Sequence, residues 1–218
     1  MTGGPIPRLH VVTDPATVAV PGFLERAGRV LEAGGPSLAF HLRVPGASGR
    51  FLHQRARALL APAEAAGARL LVNDRLDVAL TAKAHGAQVG ARSLSPADAR
   101  KVLGPQRLLG ASVHDAEAAR QAAEDGADFL LVGTIYPSAS HPERRGAGPE
   151  RIRHVADRLC PVLAIGGVTP GRVPEVLEAG AWGVAVVQAV WAAPDPAEAV
   201  EELVAAVDRA APANGEES

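Results

Sequence analysis

The chain alternates between short apolar runs and helical patterns from end to end, and this alternation limits the fold more than any other feature. Short runs that are apolar throughout are typical of strands buried on both faces of a parallel sheet. Eight strand–helix units in 218 residues predict a single-domain α/β fold, the (β/α)8 TIM barrel, rather than an open sheet. The predicted strands are Leu9–Thr13, Ser37–Arg43, Arg69–Val72, Gly86–Val89, Arg107–Ser112, Ala127–Val132, Val162–Ile165 and Trp182–Val187.

The amino-acid composition agrees with one barrel domain. Hydrophobic residues make up 47% of the chain and aromatic residues only 3%, so the core must consist of Ala, Val, Leu and Ile. Neither half carries the G-x-G-x-x-G fingerprint of a dinucleotide-binding fold. No linker interrupts the series of units. We therefore predict one barrel domain over residues 1–209 and a flexible tail over 210–218, where the sequence becomes small and acidic.

Charge and cysteine content exclude several classes of protein. The formal net charge is −2 with Lys and Arg dispersed, which argues against a nucleic-acid surface. No apolar run approaches the roughly 18 residues of a membrane span, and the start lacks the form of a signal peptide. The single cysteine, Cys160, precedes a buried strand and is interpreted as a packing residue. We expect a cytoplasmic protein with no nucleic-acid or membrane partner. The sequence leaves open whether the protein forms a homodimer.

A double glycine ends the seventh predicted strand, and Thr169 and Pro170 then begin a helix. Glycine lets backbone N–H groups approach a ligand without a Cβ in the way, and Thr and Pro suit the first positions of a helix. In such a barrel the loops after strands seven and eight usually bind phosphate. A plain tight turn is the alternative interpretation. The predicted phosphate site consists of Gly166, Gly167, Gln188 and Ala189.

Polar side chains follow several other predicted strands, at the end of the barrel where active sites lie. Arg43 ends a buried strand, where an unpaired charge is costly, so it should reach an anion or the carboxylate of Asp74. Asp74 also suits the N-cap of the helix that begins near Arg75. The residues expected to contact a substrate at these strand ends are Asn73, Asp74, Gln88, Ser112 and Thr134.

Two histidines are candidates for proton transfer, because imidazole titrates near neutrality. His141 lies in a loop after strand six that is too long and too rich in Gly and Pro for a simple connector, which predicts an active-site lid. His114 precedes Asp115, a predicted N-cap, and either faces the barrel mouth or closes the turn. The histidines interpreted as ordinary helix or edge residues are His10, His53, His85 and His154.

Seven longer strings, taken together, are specific for one family. They are L-H-V-V-T-D at 9–14, H-L-R at 41–43, V-N-D-R-L-D-V-A-L at 72–80, G-A-S-V-H-D-A-E-A-A at 110–119, G-A-D-F-L-L-V-G-T-I-Y-P-S-A-S-H-P at 126–142, A-I-G-G-V-T-P at 164–170 and A-G-A-W-G-V-A-V at 179–186. With these motifs the chain resembles the thiamine phosphate synthase / TenI family nearly end to end. The resemblance implies a role in thiamine biosynthesis, with a thiazole phosphate held at the double glycine.

Synthases of this family join a pyrimidine diphosphate to a thiazole phosphate, with Mg²⁺ stabilising the departing diphosphate. They typically carry Q-L-R-x-K, G-Q-x-D and T-x-T-K, where this chain has H-L-R-V-P at 41–45, G-A-R-S at 90–93 and S-A-S-H at 138–141. Both lysines and one metal-ligand carboxylate are therefore absent. Since a diphosphate leaving group needs cations, Arg92, Arg144 or Arg145 would have to supply the charge. Gln188 also stands where synthases usually place Ser.

These departures favour the TenI-like branch, which is similar to thiazole tautomerases that make the ring of a thiazole carboxylate phosphate aromatic. We therefore expect metal-free acid/base catalysis without a cofactor. In this hypothesis His141 moves the proton, His114 is the second candidate, and Arg43 binds the carboxylate. Two alternatives stay open, namely an Mg²⁺-dependent thiamine phosphate synthase and a non-catalytic barrel that binds a phosphorylated ligand or regulates a partner.

Overall fold

Eight parallel strands form a closed barrel in the computed structural model, which describes residues 5–90, 92–138, 146–156 and 160–211. Each strand pairs with the next along the chain, and the last strand closes the barrel on the first, with Val184 beside Leu9. The strands are β1 (Leu9–Val12), β2 (Leu38–Leu42), β3 (Arg69–Asn73), β4 (Gly86–Val89), β5 (Leu108–Val113), β6 (Phe129–Gly133), β7 (Val162–Ile165) and β8 (Gly183–Val186). The predicted (β/α)8 barrel is confirmed.

Helices surround the barrel. In the described part of the chain they are α1 (Pro15–Ala19), α2 (Phe23–Gly34), α3 (Gly49–Ala66), α4 (Leu76–Thr81), α5 (Pro96–Leu103), α6 (Ala116–Glu124), α7 (Glu150–Val155), α8 (Val173–Glu178), α9 (Gln188–Trp191) and α10 (Pro196–Ala210). Two separate helices, α1 and α2, lie between β1 and β2. Pro21 and Gly22, the latter with φ 75°, separate them, and the Asp14 carboxylate caps the first by accepting from the Thr17 N–H.

The interior of the barrel is mostly apolar but holds several polar side chains. One cluster of apolar side chains lies inside the ring of strands and consists of Ala39, Leu71, Leu108, Phe129, Leu131, Leu163 and Ala185. A larger apolar cluster lies between the strands and the helices, as expected for helices packed on a parallel sheet. The buried polar residues His10, His41 and Gln88 lie on inward-facing strand positions, where a polar group needs a hydrogen-bond partner.

Glycines close three helices at the end of the barrel opposite the site. Gly67, Gly126 and Gly180 have positive φ values of 72°, 91° and 101°, the left-handed conformation that glycine favours just after a helix. Gly86 differs, because it begins β4, and Lys83 has the left-handed conformation before it. Gly86 is required for packing, because a Cβ would lie 2.3 Å from the Leu108 carbonyl oxygen.

No helix among the described residues is long and apolar enough to cross a membrane. The buried Cys160 thiol contacts the Ala127 carbonyl oxygen at 3.5 Å, and burial raises the pKa of Cys160 to about 12, which suits a packing residue. The last helix ends at Ala210, and residues 212–218 lie outside the described ranges. The tail that begins at residue 210 therefore stays a prediction.

Candidate active site

Two adjoining cavities open at the carboxyl ends of the strands. The larger has a volume of about 930 Å³ and is lined by the ends of β1 and β5 to β8. The second, of about 770 Å³, lies over the ends of β2 to β5. Arg43, Asn73 and Ser112 line both cavities, so these three residues form the boundary between them. The cavities thus bring together all the predicted site residues that the structure describes.

The double glycine lies on the wall of the larger cavity. Gly166 and Gly167 have φ values of 100° and 64°, a region that residues with a Cβ rarely adopt. The space that their Cβ atoms would occupy is filled by the loop after β6, with Thr134 Cγ2 2.6 Å from one position and the Pro137 carbonyl oxygen 2.5 Å from the other. The glycines therefore serve the packing of two neighbouring strand-end loops as well as the backbone turn.

Arg172 follows this turn, and sequence reasoning overlooked it as a site residue. Thr169 and Pro170 do begin a helical segment, but it starts as a three-residue 3₁₀ turn ending at Arg172, without a side-chain cap. The Arg172 guanidinium donates to the Gly167 carbonyl oxygen at 2.6 Å and lies 4.4 Å from the centre of the Tyr136 ring. This side chain thus supplies positive charge at the rim of the larger cavity.

Tyr136 holds Arg172 from the other side. Its hydroxyl donates to the Glu175 carboxylate, and burial together with that hydrogen bond raises the pKa of Tyr136 to about 12. The phenol therefore stays neutral at physiological pH, and its ring face remains available to the guanidinium. The only cue in the sequence was an Arg close behind a glycine turn, which is too common to identify a site.

Gln188 and Ala189 open the short helix α9, which begins at the end of β8 beside the larger cavity. The side-chain amide of Gln188 donates to the Asp14 carboxylate, with Nε2 and Oδ2 3.0 Å apart. One N–H of this amide is therefore already donated to Asp14, the N-cap of α1, and the role of Gln188 as a phosphate donor stays a prediction. What α9 offers the cavity is chiefly its position after β8, where barrel enzymes commonly hold phosphate.

Arg43 is placed by its backbone rather than by its side chain. The buried Thr13 hydroxyl accepts from the Arg43 N–H at 2.9 Å and contacts the Arg43 carbonyl oxygen at 3.1 Å. Within the described ranges the guanidinium makes no ion pair, so the predicted pairing with Asp74 is wrong. A half-buried cation at the boundary of two cavities is suited to an anionic ligand.

Asp74 is an exposed residue that lines the second cavity. It has a left-handed backbone (φ 63°) and does not cap α4 as predicted, since α4 has Arg75 at its N-cap and no side-chain bond there. Instead, Oδ1 accepts from the Ser93 hydroxyl and from the Gly90 N–H at 3.3 Å. The Asp74 carboxylate is thus turned toward the loop after β4, where Arg92 also lines the cavity.

Gln88 and Ser112 form a polar pair between neighbouring strands. The buried Gln88 amide donates to the Ser112 oxygen at 3.0 Å and to the Val89 carbonyl oxygen at 3.3 Å. Gln88 Oε1 is buried and lacks a hydrogen-bond partner among the described residues. Because Ser112 Oγ accepts from the amide, its own hydroxyl proton is left for a ligand in the cavities that Ser112 lines.

Of the two candidate acid/base histidines, the structure describes only His114. His141 lies outside the described residues, as do Arg144 and Arg145. His114 is exposed at the mouth of the larger cavity, and its Nδ1 lies 3.2 Å from the Gly133 carbonyl oxygen. Because a carbonyl oxygen only accepts, Nδ1 carries a proton. Asp115 caps α6 through the Ala118 N–H at 2.8 Å, as predicted.

A buried histidine pair lies beneath the site, and one of its members was misinterpreted. His10 was assigned to a helix or an edge, but it is fully buried inside the barrel. Its Nδ1 lies 2.8 Å from His41 Nε2, and its Nε2 lies 3.1 Å from the Pro7 carbonyl oxygen. His41 Nδ1 in turn lies 3.2 Å from Asn73 Oδ1. The pair therefore connects the floor of the barrel to the boundary of the two cavities.

Comparison with known proteins places this architecture in one family. A sequence profile described as thiamine monophosphate synthase matches residues 9–190. The thiamine-phosphate synthase of Xanthobacter autotrophicus is 42% identical over 203 residues, which cover 91% of this chain and 94% of that protein. The chain belongs to the thiamine monophosphate synthase family. The thiamine-phosphate synthase of Roseiflexus castenholzii, 39% identical over 203 residues, covers 89% of the chain and 86% of its own length.

Solved structures agree with membership of the thiamine monophosphate synthase family. Thiamine phosphate pyrophosphorylase from Pyrococcus furiosus superimposes with a TM-score of 0.81 at 31% identity, covering 93% of this chain and 96% of that one. The relatives support an enzyme rather than a silent barrel. They also overturn the expected tautomerase activity, because the similar proteins are named for the synthase reaction in spite of the departures at residues 41–45, 90–93 and 138–141.

Proposed function

We propose that this protein is a thiamine-phosphate synthase that joins a pyrimidine diphosphate to a thiazole phosphate and releases diphosphate. The observation that carries the proposal is the pair of adjoining cavities with Arg43 between them. One cavity has the glycine turn and Arg172 at its wall, and the other has Asp74 and Arg92. Two anionic substrates that must meet at one point suit this arrangement. The names and coverage of the relatives point to the same reaction.

The thiazole phosphate belongs in the larger cavity. Its phosphate is placed against the turn at Gly166–Gly167, between the loops after β7 and β8, and Arg172 lies at the same rim to neutralise its charge. The thiazole ring then extends toward Ser112 and His114. Holding the ring by its phosphate orients the nitrogen that forms the new bond, and such orientation is a large part of catalysis for a reaction between two substrates.

The pyrimidine diphosphate belongs in the second cavity, with its diphosphate over Asp74 and Arg92. The thiazole nitrogen supplies the electron pair of the new bond to carbon, the carbon–oxygen bond to diphosphate breaks, and that electron pair leaves with the diphosphate. No protein base is required, since the nitrogen has a lone pair. Arg43 lies where the charge of the leaving group develops, so it stabilises the transition state more than the bound substrates.

The donor set of the second cavity fits Mg²⁺. This ion is usually held by one or two carboxylates, substrate phosphates and several waters. Within the described ranges both hydrogen bonds to the Asp74 carboxylate go to Oδ1, which leaves Oδ2 for a cation. Asp74 is thus the protein ligand that we assign, with the diphosphate oxygens supplying the rest. Bound there, Mg²⁺ would neutralise charge on the departing diphosphate.

Incubation of the purified protein with both substrates tests the proposal directly. We expect thiamine phosphate, measured by chromatography, only when both substrates and Mg²⁺ are present, and strongly reduced formation in an Asp74→Asn variant. Release of diphosphate should match product one to one. Absence of product with the parent protein, while the thiazole phosphate still binds, would favour the non-catalytic barrel instead.

A further inference from the structure

The contact of His10 with Pro7 and the contact between His10 and His41 leave only one consistent arrangement of protons on two neutral rings. The Pro7 carbonyl oxygen can only accept, so His10 Nε2, 3.1 Å away, carries a proton. Burial lowers the pKa of His10 well below its usual value and that of His41 to about 4, so both rings are neutral and each has one N–H. His10 Nδ1 is therefore an acceptor, and His41 Nε2, 2.8 Å away, must donate to it.

This proton arrangement determines how the Asn73 side-chain amide is oriented. With its proton on Nε2, His41 presents a lone pair from Nδ1 to the Asn73 side chain, whose Oδ1 is placed 3.2 Å away. The two ends of a side-chain amide have the same shape, so the hydrogen-bond partners decide which end faces which way. In that orientation a carbonyl oxygen and Nδ1 would set two acceptors against each other in a part-buried place. Turning the Asn73 amide over exchanges its oxygen and nitrogen, and the NH2 group can then donate to Nδ1.

We propose that His10 and His41 are positioning residues that hold the Asn73 side chain with its NH2 group toward His41 and its carbonyl oxygen toward the two cavities. Asn73 lies on the boundary of both cavities beside Arg43. With this arrangement the site presents a fixed hydrogen-bond acceptor there, next to the cation of Arg43. An acceptor repels phosphate oxygens and attracts N–H groups.

The catalytic role of this acceptor rests on the proposed function. In the synthase reaction the acceptor receives an N–H of the pyrimidine substrate and leaves the diphosphate to Arg43 and Arg92. It thereby distinguishes the ring end of that substrate from its charged end. His10 and His41 contribute without touching a substrate, since His10 is fully buried and acts through His41.

The opposite proton arrangement leaves an unfavourable contact at the floor of the barrel. If His41 carried its proton on Nδ1, its Nε2 would accept from His10 Nδ1, and His10 Nε2 would then face the Pro7 carbonyl oxygen without a proton between them. A doubly protonated His10 would place a charge next to Phe129, whose ring centre is 4.8 Å away, and an apolar cluster.

Nitrogen NMR of protein labelled with ¹⁵N-histidine tests the proton arrangement without any assay of activity. At pH 7.5 we expect His10 and His41 to give signals of neutral rings protonated at Nε2. In His10→Phe, which keeps an aromatic ring beside Phe129 but removes the acceptor, His41 should lose its single tautomer. In His10→Gln, whose amide can donate to Pro7 and accept from His41, the Nε2–H form should be retained.

An Nδ1–H signal of His41 in the parent protein, or an unchanged His41 signal in His10→Phe, would overturn the assignment. Should His10→Phe fail to fold, the parent spectrum and His10→Gln decide alone. In the synthase assay His10→Phe should raise KM for the pyrimidine substrate about tenfold, the factor that corresponds to one hydrogen bond, with KM for the thiazole phosphate unchanged. Equal changes in both KM values would count against a positioning role. A protein without synthase activity would refute the proposed function but leave the NMR result intact.

Discussion

The Ser93 hydroxyl donates a hydrogen bond to the Asp74 carboxylate, and both residues line the second cavity. The family's G-Q-x-D motif places a carboxylate where this chain has Ser93. The hydroxyl keeps Asp74 turned toward the loop after β4 but adds no negative charge. In the proposed metal site a cation would therefore be held by one protein carboxylate instead of two.

Replacing Ser93 by Asp should strengthen Mg²⁺ binding. A second carboxylate adds charge and an oxygen ligand at the place where a divalent cation would lie. We expect Ser93→Asp to lower the Mg²⁺ concentration for half-maximal synthase activity by roughly tenfold, a value typical of a single added ligand contact. Ser93→Asn has the same shape without the charge and serves as the control. The same Mg²⁺ requirement in both variants would exclude Asp74 as the site of the ion.

Removing the Arg43 guanidinium should impair the chemical step. This cation lies where the proposed diphosphate leaves, so we expect Arg43→Gln to lower kcat by about 10²–10³-fold, as for other groups that stabilise transition-state charge. Arg209→Gln, on α10 outside both cavities, is the matched control. A loss confined to KM would mean that Arg43 binds substrate and transition state equally.

Arg172 should bind the phosphate of the thiazole substrate. In Arg172→Gln we expect KM for thiazole phosphate to rise about tenfold, since a charge-assisted hydrogen bond is worth one to a few kcal/mol. The thiazole alcohol, which lacks the phosphate, should be used equally poorly by parent and variant. Arg57→Gln changes an exposed arginine of α3 away from the cavities and is the control. Equal effects on alcohol and phosphate would contradict the assignment.

Two glycines should respond to Ala in opposite ways. A Cβ at Gly86 would lie 2.3 Å from the Leu108 carbonyl oxygen, whereas at Gly28, inside α2, it would meet nothing within 4 Å. We expect Gly86→Ala to destabilise by about 1–3 kcal/mol because the strands must move apart. Gly28→Ala should stabilise by about 0.5–1 kcal/mol, because alanine loses less backbone entropy in a helix. Thermal unfolding followed by circular dichroism measures both; shifts of the same sign would contradict the packing argument.

The buried histidines should make the fold sensitive to mild acid. Burial lowers the folded-state pKa of His10 and His41, the latter to about 4, while an unfolded histidine titrates near 6.5. As pH falls from 6.5 toward 4 the unfolded chain therefore binds protons that the folded chain does not, and stability is lost at about 1.4 kcal/mol per pH unit for each proton. The pKa of His85 is lowered as well and adds to the loss.

Urea unfolding between pH 7.5 and 4.5 measures this dependence. His10→Gln should reduce the slope by up to one proton, and His154→Gln, which changes an exposed histidine of α7, is the control for removing a surface histidine. An equal slope in the parent and in His10→Gln would show that His10 is protonated in the folded protein.

Local features of the fold could be predicted from the sequence. The strands could be predicted from apolar runs, because a strand buried on both faces consists mostly of apolar residues. The Asp115 cap and the Gly67 helix end followed from residues whose chemistry suits those positions. The glycine turn at 166–167 was located correctly, and so was its place on the cavity wall.

Contacts between distant segments could not be predicted. His10 and His41 are 31 residues apart, and which face of its strand each occupies depends on the register of β1 against β2. The bond between Gln188 and Asp14 spans 174 residues and exists only because β8 closes on β1. The choice of reaction was wrong for a related reason. It counted missing charges by sequence position, whereas the second cavity brings Arg43 and Arg92 together from the ends of two different strands.

The sequence by itself determined the barrel and the family, because periodicity and motif order are local properties that survive without coordinates. Only the tertiary structure decided which side chains share a cavity, which amide is already bound and which histidine is buried. Closure of the barrel brings eight separate strand ends to one rim, and hydrogen bonds and charges act across a few ångströms, whatever the separation along the chain.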